Sequence, residues 1–370
     1  MTDLHPPASA LSFLERLIDV RGPSGFEAPV QSVWLDYVRP HADYTESDAY
    51  GNTWAVLEPG STSNDPPTVV VTGHADEIGL MINHIESSGL LRVVPVGGVD
   101  PAMLPGRRIR INTPRGEIRG VIGAVPIHLQ DKSGDRKAPT IDQLFVDCGF
   151  ADEDEARESV RVGLIATIDQ GLERLGQHRV VARATDNRIG IFTAAEVLRR
   201  LSERRDQLRY RLIALSTVQE EIGLVGAQFV TRRLNPDVAL VVDVTHATDV
   251  PGVSQAKHGK VEMGAGPTIT HGTANHPLLV QHLVDTAAAT DIAIQHEASS
   301  RYTGTDTDAI YRATTGIPSA LLSLPNRYMH TPSEVIDLRD LERLVRLTTE
   351  AVLRLDPARP FRVVDDTANP

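Results

Sequence analysis

Seven residues in five short stretches are of the types that bind and use divalent metal ions. His74 and Asp76 follow the apolar run VVVTG, and Asp186 follows VVARAT. Glu220 and Glu221 follow IALSTVQ, Asp243 follows ALVV, and His330 follows LLSLP after a short loop. Each apolar run reads as a β-strand, so each polar group stands just past a strand end. In open α/β sheets, ligands bind beyond the carboxyl ends of the strands. The pattern predicts five strand ends converging on one rim, with His74, Asp186, Glu221, Asp243 and His330 as metal ligands.

Imidazole and carboxylate together suit Zn²⁺, Co²⁺ or Mn²⁺. One carboxylate can bridge two ions about 3.5–4 Å apart, a pair that acidifies a water and polarises a substrate carbonyl. Open coordination positions can receive a free amine. His74 and Asp76 are two apart and point the same way on an extended chain. Asp76 is thus expected to accept a hydrogen bond from the ring nitrogen of His74 that does not bind metal. Adjacent Glu220 and Glu221 diverge, so one can bind metal while the other takes a proton from water and passes it to the leaving amine. Singly, each residue has a plainer explanation. Asp186 and Asp243 could be helix N-caps, the Glu pair could offset a helix dipole, and His74 could be an ordinary surface histidine. The coincidence at five strand ends carries the prediction.

The elements that position these groups follow from periodicity. Apolar spacing of three and four predicts helices over 10–20 and Glu27–Tyr37, with GPSG between them. TWAVLE and TVVVT read as strands. From about Leu80 to Ile168, short apolar runs alternate with Gly, Pro and charged turns, with one brief helical stretch near 151–159. That texture predicts a small β-rich unit, a barrel or sandwich. From Val180, strands and helices alternate, with DVALVVDV and SALLSLP apolar enough to be buried on both faces. The expected fold is α/β: a mixed sheet flanked by helices, residues 1–79 plus 175–370, interrupted by an inserted β-barrel-like domain over 80–174. The last residues, RVVDDTANP, are expected to fray.

The bulk numbers bound the function. A chain of 370 residues suits two domains. A net charge of −12 argues against nucleic-acid or anionic-membrane partners. The single cysteine, Cys148, rules out an internal disulfide or a Cys-rich zinc site. No apolar run reaches the ~20 residues of a membrane span, and no signal pattern opens the chain, so a cytoplasmic location is the default. Aromatics make up only 4%, a poor match to a sugar-stacking cleft.

Seven segments also carry a family resemblance: GPSGFE at 22–27, GHADEIG at 73–79, TDNRIG at 185–190, QEEIGLVGA at 219–227, DVTHATDVPG at 243–252, GTDTDA at 304–309 and RYMHTPSEV at 327–335. In order and spacing they resemble the tetrahedral (TET-type), or glutamyl, aminopeptidases, over about residues 10 to 355. DRKAPTIDQLFVDCG resembles the family segment that leads out of the insert. The resemblance implies that His74 binds one metal and is oriented by Asp76, and that Asp186 bridges two metals. It also implies that Glu220 is the general base, that Glu221 is a ligand, and that Asp243 and His330 bind one metal each. It implies Zn²⁺ or Co²⁺, an insert that mediates dimer contacts, and dimers that assemble into tetrahedral dodecamers. Thr185 stands where the family often has Leu, and TGTDTDA varies a more Gly-rich form near the substrate pocket. Asp306 is therefore expected to line that pocket, with His246 and His271 on loops that approach it. The function expected is release of N-terminal residues from short peptides. The alternatives are hydrolysis of acyl-amino acids or other small amides by the same centre, and a non-catalytic metal-binding or assembly protein, which the presence of Glu220 disfavours.

Overall fold

The computed structural model describes residues 5–60, 65–129 and 138–364. In chain order the strands are β1 (Tyr44–Ser47), β2 (Thr53–Leu57), β3 (Thr68–His74), β4 (Gly79–Ile85), β5 (Leu91–Val96), β6 (Arg108–Thr113), β7 (Gly116–Gly123), β8 (Phe145–Asp147), β9 (Ile165–Ile168), β10 (Glu173–Leu175), β11 (Arg179–Ala182), β12 (Arg211–Thr217), β13 (Val238–His246), β14 (Thr268–His271), β15 (Gln295–Ala298), β16 (Ser319–Asn326) and β17 (Glu334–Asp337). The helices are α1 (Ala8–Asp19), α2 (Ala28–Val38), α3 (Glu153–Ser159), α4 (Thr185–Ser202), α5 (Val225–Leu234), α6 (Gln255–His258), α7 (Pro277–Ala289), α8 (Thr307–Ile310) and α9 (Leu338–Leu353).

The most apolar runs form the middle of an eight-stranded mixed sheet, ordered β1-β2-β12-β3-β13-β16-β14-β15. β12, β3, β13 and β16 run parallel to their neighbours in that group. Every residue of β3 and β16 is buried, as strands covered on both faces must be. On one face α1, α2, α4, α7 and α9 close a large apolar core around residues such as Phe13, Trp34, Phe192, Leu283 and Leu344. On the other face, Ala227 and Val230 of α5 and Ile310 of α8 pack against Val241, Leu321 and Ile213. Among the described residues no helix is long and apolar enough to cross a membrane.

The β-rich insert is a closed barrel, β4-β5-β8-β7-β6-β9. It has its own core of Leu80, Ile82, Leu91, Ile109, Ile111 and Val146. β10 straddles the expected end of the insert and pairs outside the barrel, in a three-stranded sheet with β11 and β17.

Two expectations about the rim need correction. β11, the strand before Asp186, belongs to that small sheet and not to the main one. Its burial alternates along four residues, the mark of a strand covered on one face only. Asp243 is not past a strand end: β13 continues to His246, paired with β16 as far as Asn326. The helix after β12 begins only at Val225. Residues 221–224 are taken up by a turn that ends with Leu224 at φ 58°. Asp135–Lys137 of the quoted DRKAPT segment and the last six residues of the expected frayed tail lie outside the described residues.

Where the chain leaves for the barrel and where it returns, buried charges meet. Glu77 is on the outgoing strand connection and Arg183 is on the return; the two pair directly. Arg188 of α4, fully buried, lies 2.9 Å from the other Glu77 oxygen. The same guanidinium groups donate to the carbonyls of Ile18 (2.6 Å), Leu17 (2.8 Å) and Val20 (3.2 Å), so they satisfy the last turn of α1. Glu77 also accepts from the Gly22 amide at 3.0 Å. A single carboxylate thus offsets two buried cations. Glu77→Gln leaves them uncompensated and is expected to cost about 3–5 kcal/mol. The urea-unfolding midpoint measures this. A loss below about 1 kcal/mol, the value of a surface pair, would contradict the role given to Glu77.

Candidate metal centre

His74 ends β3, and the residue before it decides what can approach. A Cβ on Gly73 would lie 2.5 Å from the Gly190 carbonyl carbon and 2.6 Å from its Cα. Glycine at 73 therefore lets the first turns of α4 rest on the end of β3, while a Cβ on Gly190 would collide with the Asn187 side chain. The turn that results is not regular helix. Asp186 and Asn187 have non-helical dihedrals, and the peptide between them is cis. Asn187 Nδ2 donates to the carbonyl of Val242 at 2.9 Å, tying this turn to β13 beside Asp243.

With the turn in place, Asp186 faces two histidines. Its Oδ1 lies 3.2 Å from His74 Nε2, and its Oδ2 lies 3.2 Å from His330 Nε2. Two ligand groups result, each with donor atoms within 4.8 Å of one another: His74, Asp186 and Asp243, and Asp186, Glu221 and His330. Asp186 is common to both. Glu220 belongs to neither, and its Oε2 stands 3.8 Å from His74 Nε2.

The supporting contacts fix which ring nitrogen faces the centre. His74 Nδ1 lies 3.3 Å from Asp76 Oδ1 and 3.2 Å from the Asp76 carbonyl. His330 Nδ1 lies 3.1 Å from the carbonyl of Gly98, on the loop after β5 of the barrel. An acceptor at Nδ1 leaves Nε2 as the lone-pair donor. Asp76 does more than orient His74. It accepts from the amides of Glu220 (3.0 Å) and Glu221 (3.1 Å) and from the Ser24 hydroxyl (2.6 Å).

Glu334 and Glu27 were not anticipated. Glu334 accepts from Thr185 Oγ1 (2.7 Å) and from the amides of Asp186 (2.9 Å) and His330 (3.0 Å), so it holds two of the proposed ligands in register. Glu27 accepts from the amides of Gly25 (2.7 Å) and Gln219 (3.1 Å). Both lie inside quoted motifs, GPSGFE and RYMHTPSEV, and that was the available signal.

The electrostatics are those of a site with too much negative charge. Burial, followed by repulsion from neighbouring carboxylates, pushes Asp243 up to about 8. Burial likewise raises Glu220 to about 10 and holds Glu221 well above its usual range. Glu334 rises to about 7 through burial and Asp186. Burial acts in the same direction on Asp186, but the close imidazoles of His330 and His74 outweigh it and hold the group well below its usual range. The Asp186 contact raises His330 to about 9. Asp186 Oδ1 is buried without a hydrogen-bond partner. Two imidazoles and three carboxylates, one with an unsatisfied oxygen, fit divalent cations.

A cavity of about 490 Å³ opens over the cluster. His246 lies on its wall, as do Val244, Glu297, Met329 and residues 303–305. Asp306, expected on that wall, is only 1% exposed and accepts from Thr217 Oγ1 at 2.5 Å, beneath the cavity. Its neighbours Thr303, Gly304 and Thr305 line the space instead. His271 is exposed and meets His296 at 2.8 Å, away from the wall. A second space, about 40 Å³, lies under the barrel beyond Glu221 and His330, against Leu80, Met103 and Leu104.

These shifts have a sign. Carboxyls whose folded pKa is raised, and histidines likewise, contribute stability below their unfolded pKa and lose it as pH rises through the folded value. Asp243, Glu334 and His330 place that loss between about pH 5 and 9. The lowered Asp186 contributes its stability above its unfolded pKa of 3.8 and is unchanged across this window. Metal-stripped protein should therefore lose thermal stability from pH 5 to pH 8, and added Zn²⁺ or Co²⁺ should restore it at pH 8. A Tm at pH 8 that added metal leaves unmoved would contradict this.

Comparison with known proteins gives the family and agrees with the fold. The pattern of the M42 glutamyl aminopeptidase family matches residues 51–347. A lysyl aminopeptidase of Pyrococcus furiosus is 35% identical over 349 residues, 93% of this chain and 97% of the relative. An aminopeptidase from the archaeon Desulfurococcus kamchatkensis superposes with a TM-score of 0.86 at 33% identity, covering 94% of this chain and 95% of that one. The TET1 peptidase of Pyrococcus horikoshii, described as assembling into a tetrahedron or a large octahedral shell, superposes at 0.81 with 29% identity, covering 94% and 100%. The chain belongs to the M42 family of aminopeptidases.

Proposed function

We propose that this aminopeptidase works through a dinuclear metal centre and releases N-terminal residues from short peptides with a free α-amine. The observation that carries the reading is the sharing of Asp186 between the two ligand groups. One ion would be held by His74, Asp186 and Asp243, and the other by Asp186, Glu221 and His330. Zn²⁺ or Co²⁺ fits this donor set best, with Mn²⁺ also compatible. When bound, such a pair acidifies a water and polarises the scissile carbonyl.

The remaining work falls to the chain. Glu220 faces the cavity, is in neither ligand group, and stands beside His74. It takes the proton from the attacking water at its carboxylate and returns it to the leaving amine. Asp76 keeps His74 in one tautomer and, through two amide contacts, sets Glu220 and Glu221 in place. We further assign dimer contacts to the inserted unit over 80–174, and assembly of dimers into a tetrahedral dodecamer. The tetrahedral assembly of the Pyrococcus horikoshii relative supports this assignment.

The second reading, hydrolysis of acyl-amino acids or other small amides, shares the centre and differs in the amine. A tripeptide and its N-acetylated form separate the two: only the free amine should be cleaved, and equal cleavage would favour the amidohydrolase. Glu220→Gln should keep metal content and lose about 10²–10⁴-fold in kcat. Turnover within a few-fold of wild type would remove Glu220 from the base role.

A further inference from the structure

The cavity over the ligand cluster has a distinct chemical character away from the metal-type residues. Leu224, Val244 and Met329 give it apolar wall, and Thr245, His246 and residues 303–305 add polar groups. Apart from the acidic members of the cluster, Glu297 is the one carboxylate on its wall, and no lysine or arginine lines it. Glu297 sits on β15 at the edge of the main sheet and is held by side chains from the adjacent β14 and from β13, farther into the sheet. Thr245 Oγ1 of β13 donates to its Oε1 at 2.8 Å, and Thr268 Oγ1 of β14 donates to its Oε2 at 3.3 Å. Among the described residues no cation pairs with it. Each oxygen therefore keeps acceptor capacity.

Size decides which space takes the side chain of the N-terminal residue. The cavity with Glu297 has about 490 Å³, within the range of small-molecule sites. The space under the barrel, about 40 Å³, holds roughly one water. His74, Glu220 and Asp243 open only onto the larger one. A side chain seated there lays its stem along Leu224, Val244 and Met329 and brings its end toward Glu297. Lysine and arginine have that two-part character, an apolar stem with a cationic head. A glutamate or aspartate would meet a like charge at the same point.

We infer that Glu297 makes this enzyme selective for peptides with a basic N-terminal residue, lysine or arginine, and that it discriminates against acidic ones despite the glutamyl name of the family. The inference rests on the aminopeptidase reading of the centre above.

The test compares kcat/KM for lysyl, norleucyl and glutamyl p-nitroanilides. Norleucine keeps the length of lysine without its charge. The wild-type enzyme should prefer lysine to norleucine by about 10-fold or more, the scale on which a polar site rejects an analogue lacking its partner, with glutamate poorest. Glu297→Gln should bring the lysine-to-norleucine ratio of kcat/KM down toward 1. Equal turnover of lysine and norleucine, or a lysine preference that survives in Glu297→Gln, overturns the inference and leaves the aminopeptidase reading standing. Turnover of none of the three by metal-loaded wild-type enzyme overturns both.

Discussion

Asp186 offers one oxygen to His74 and the other to His330, each at 3.2 Å, and the surrounding construction serves to hold it there. Glycine at 73 removes the side chain that would keep α4 off the end of β3, and glycine at 190 leaves room for the Asn187 side chain. Asn187 anchors the turn to β13, and Glu334 grips the Asp186 amide on one side and the His330 amide on the other. A buried carboxylate between two imidazoles is costly unless both oxygens find partners. Here one oxygen is left without a hydrogen-bond donor, and the neighbouring carboxylates are displaced toward their neutral forms. The site is balanced only when positive charge is supplied to it.

The same centre is coupled to the barrel. Gly98, on the loop after β5, presents its carbonyl to His330 Nδ1. The chain passes into and out of the barrel beside Glu77 and Arg183, whose ion pair also closes the end of α1. Asp76 is the next residue back from Glu77. The contacts that support the ligands and those that fix the insert therefore meet at adjacent residues, Asp76 and Glu77.

Much of this was legible in the sequence, for physical reasons. The strands β3, β12, β13 and β16 are nearly pure apolar runs because both faces are covered, and the acidic and imidazole residues at or beyond their carboxyl ends were visible as a pattern. The barrel was readable from the short, Gly- and Pro-punctuated runs between Leu80 and Ile168. What could not be read was long-range pairing. β11 looks like any short strand, and only its pairing with β17 puts it in a separate sheet. Glu334 also reaches the Asp186 amide and Glu27 the Gln219 amide, and sequence spacing shows neither of these long-range contacts. Asp306 was expected on the cavity wall from its motif alone, whereas its hydrogen bond to Thr217 draws it beneath. Glu297 lies in no quoted motif, and it became visible only when the sheet brought β15 within reach of Thr245 and Thr268.

The central claim is that one carboxylate, Asp186, joins two metal sites. Calorimetric titration of metal-stripped protein with Zn²⁺ or Co²⁺ measures it directly, for wild type and for Asp186→Asn. The account predicts two ions per chain in the wild type and loss of tight binding at both sites in the variant. A single ion per chain, or a variant that still binds two ions with wild-type affinity, would contradict it.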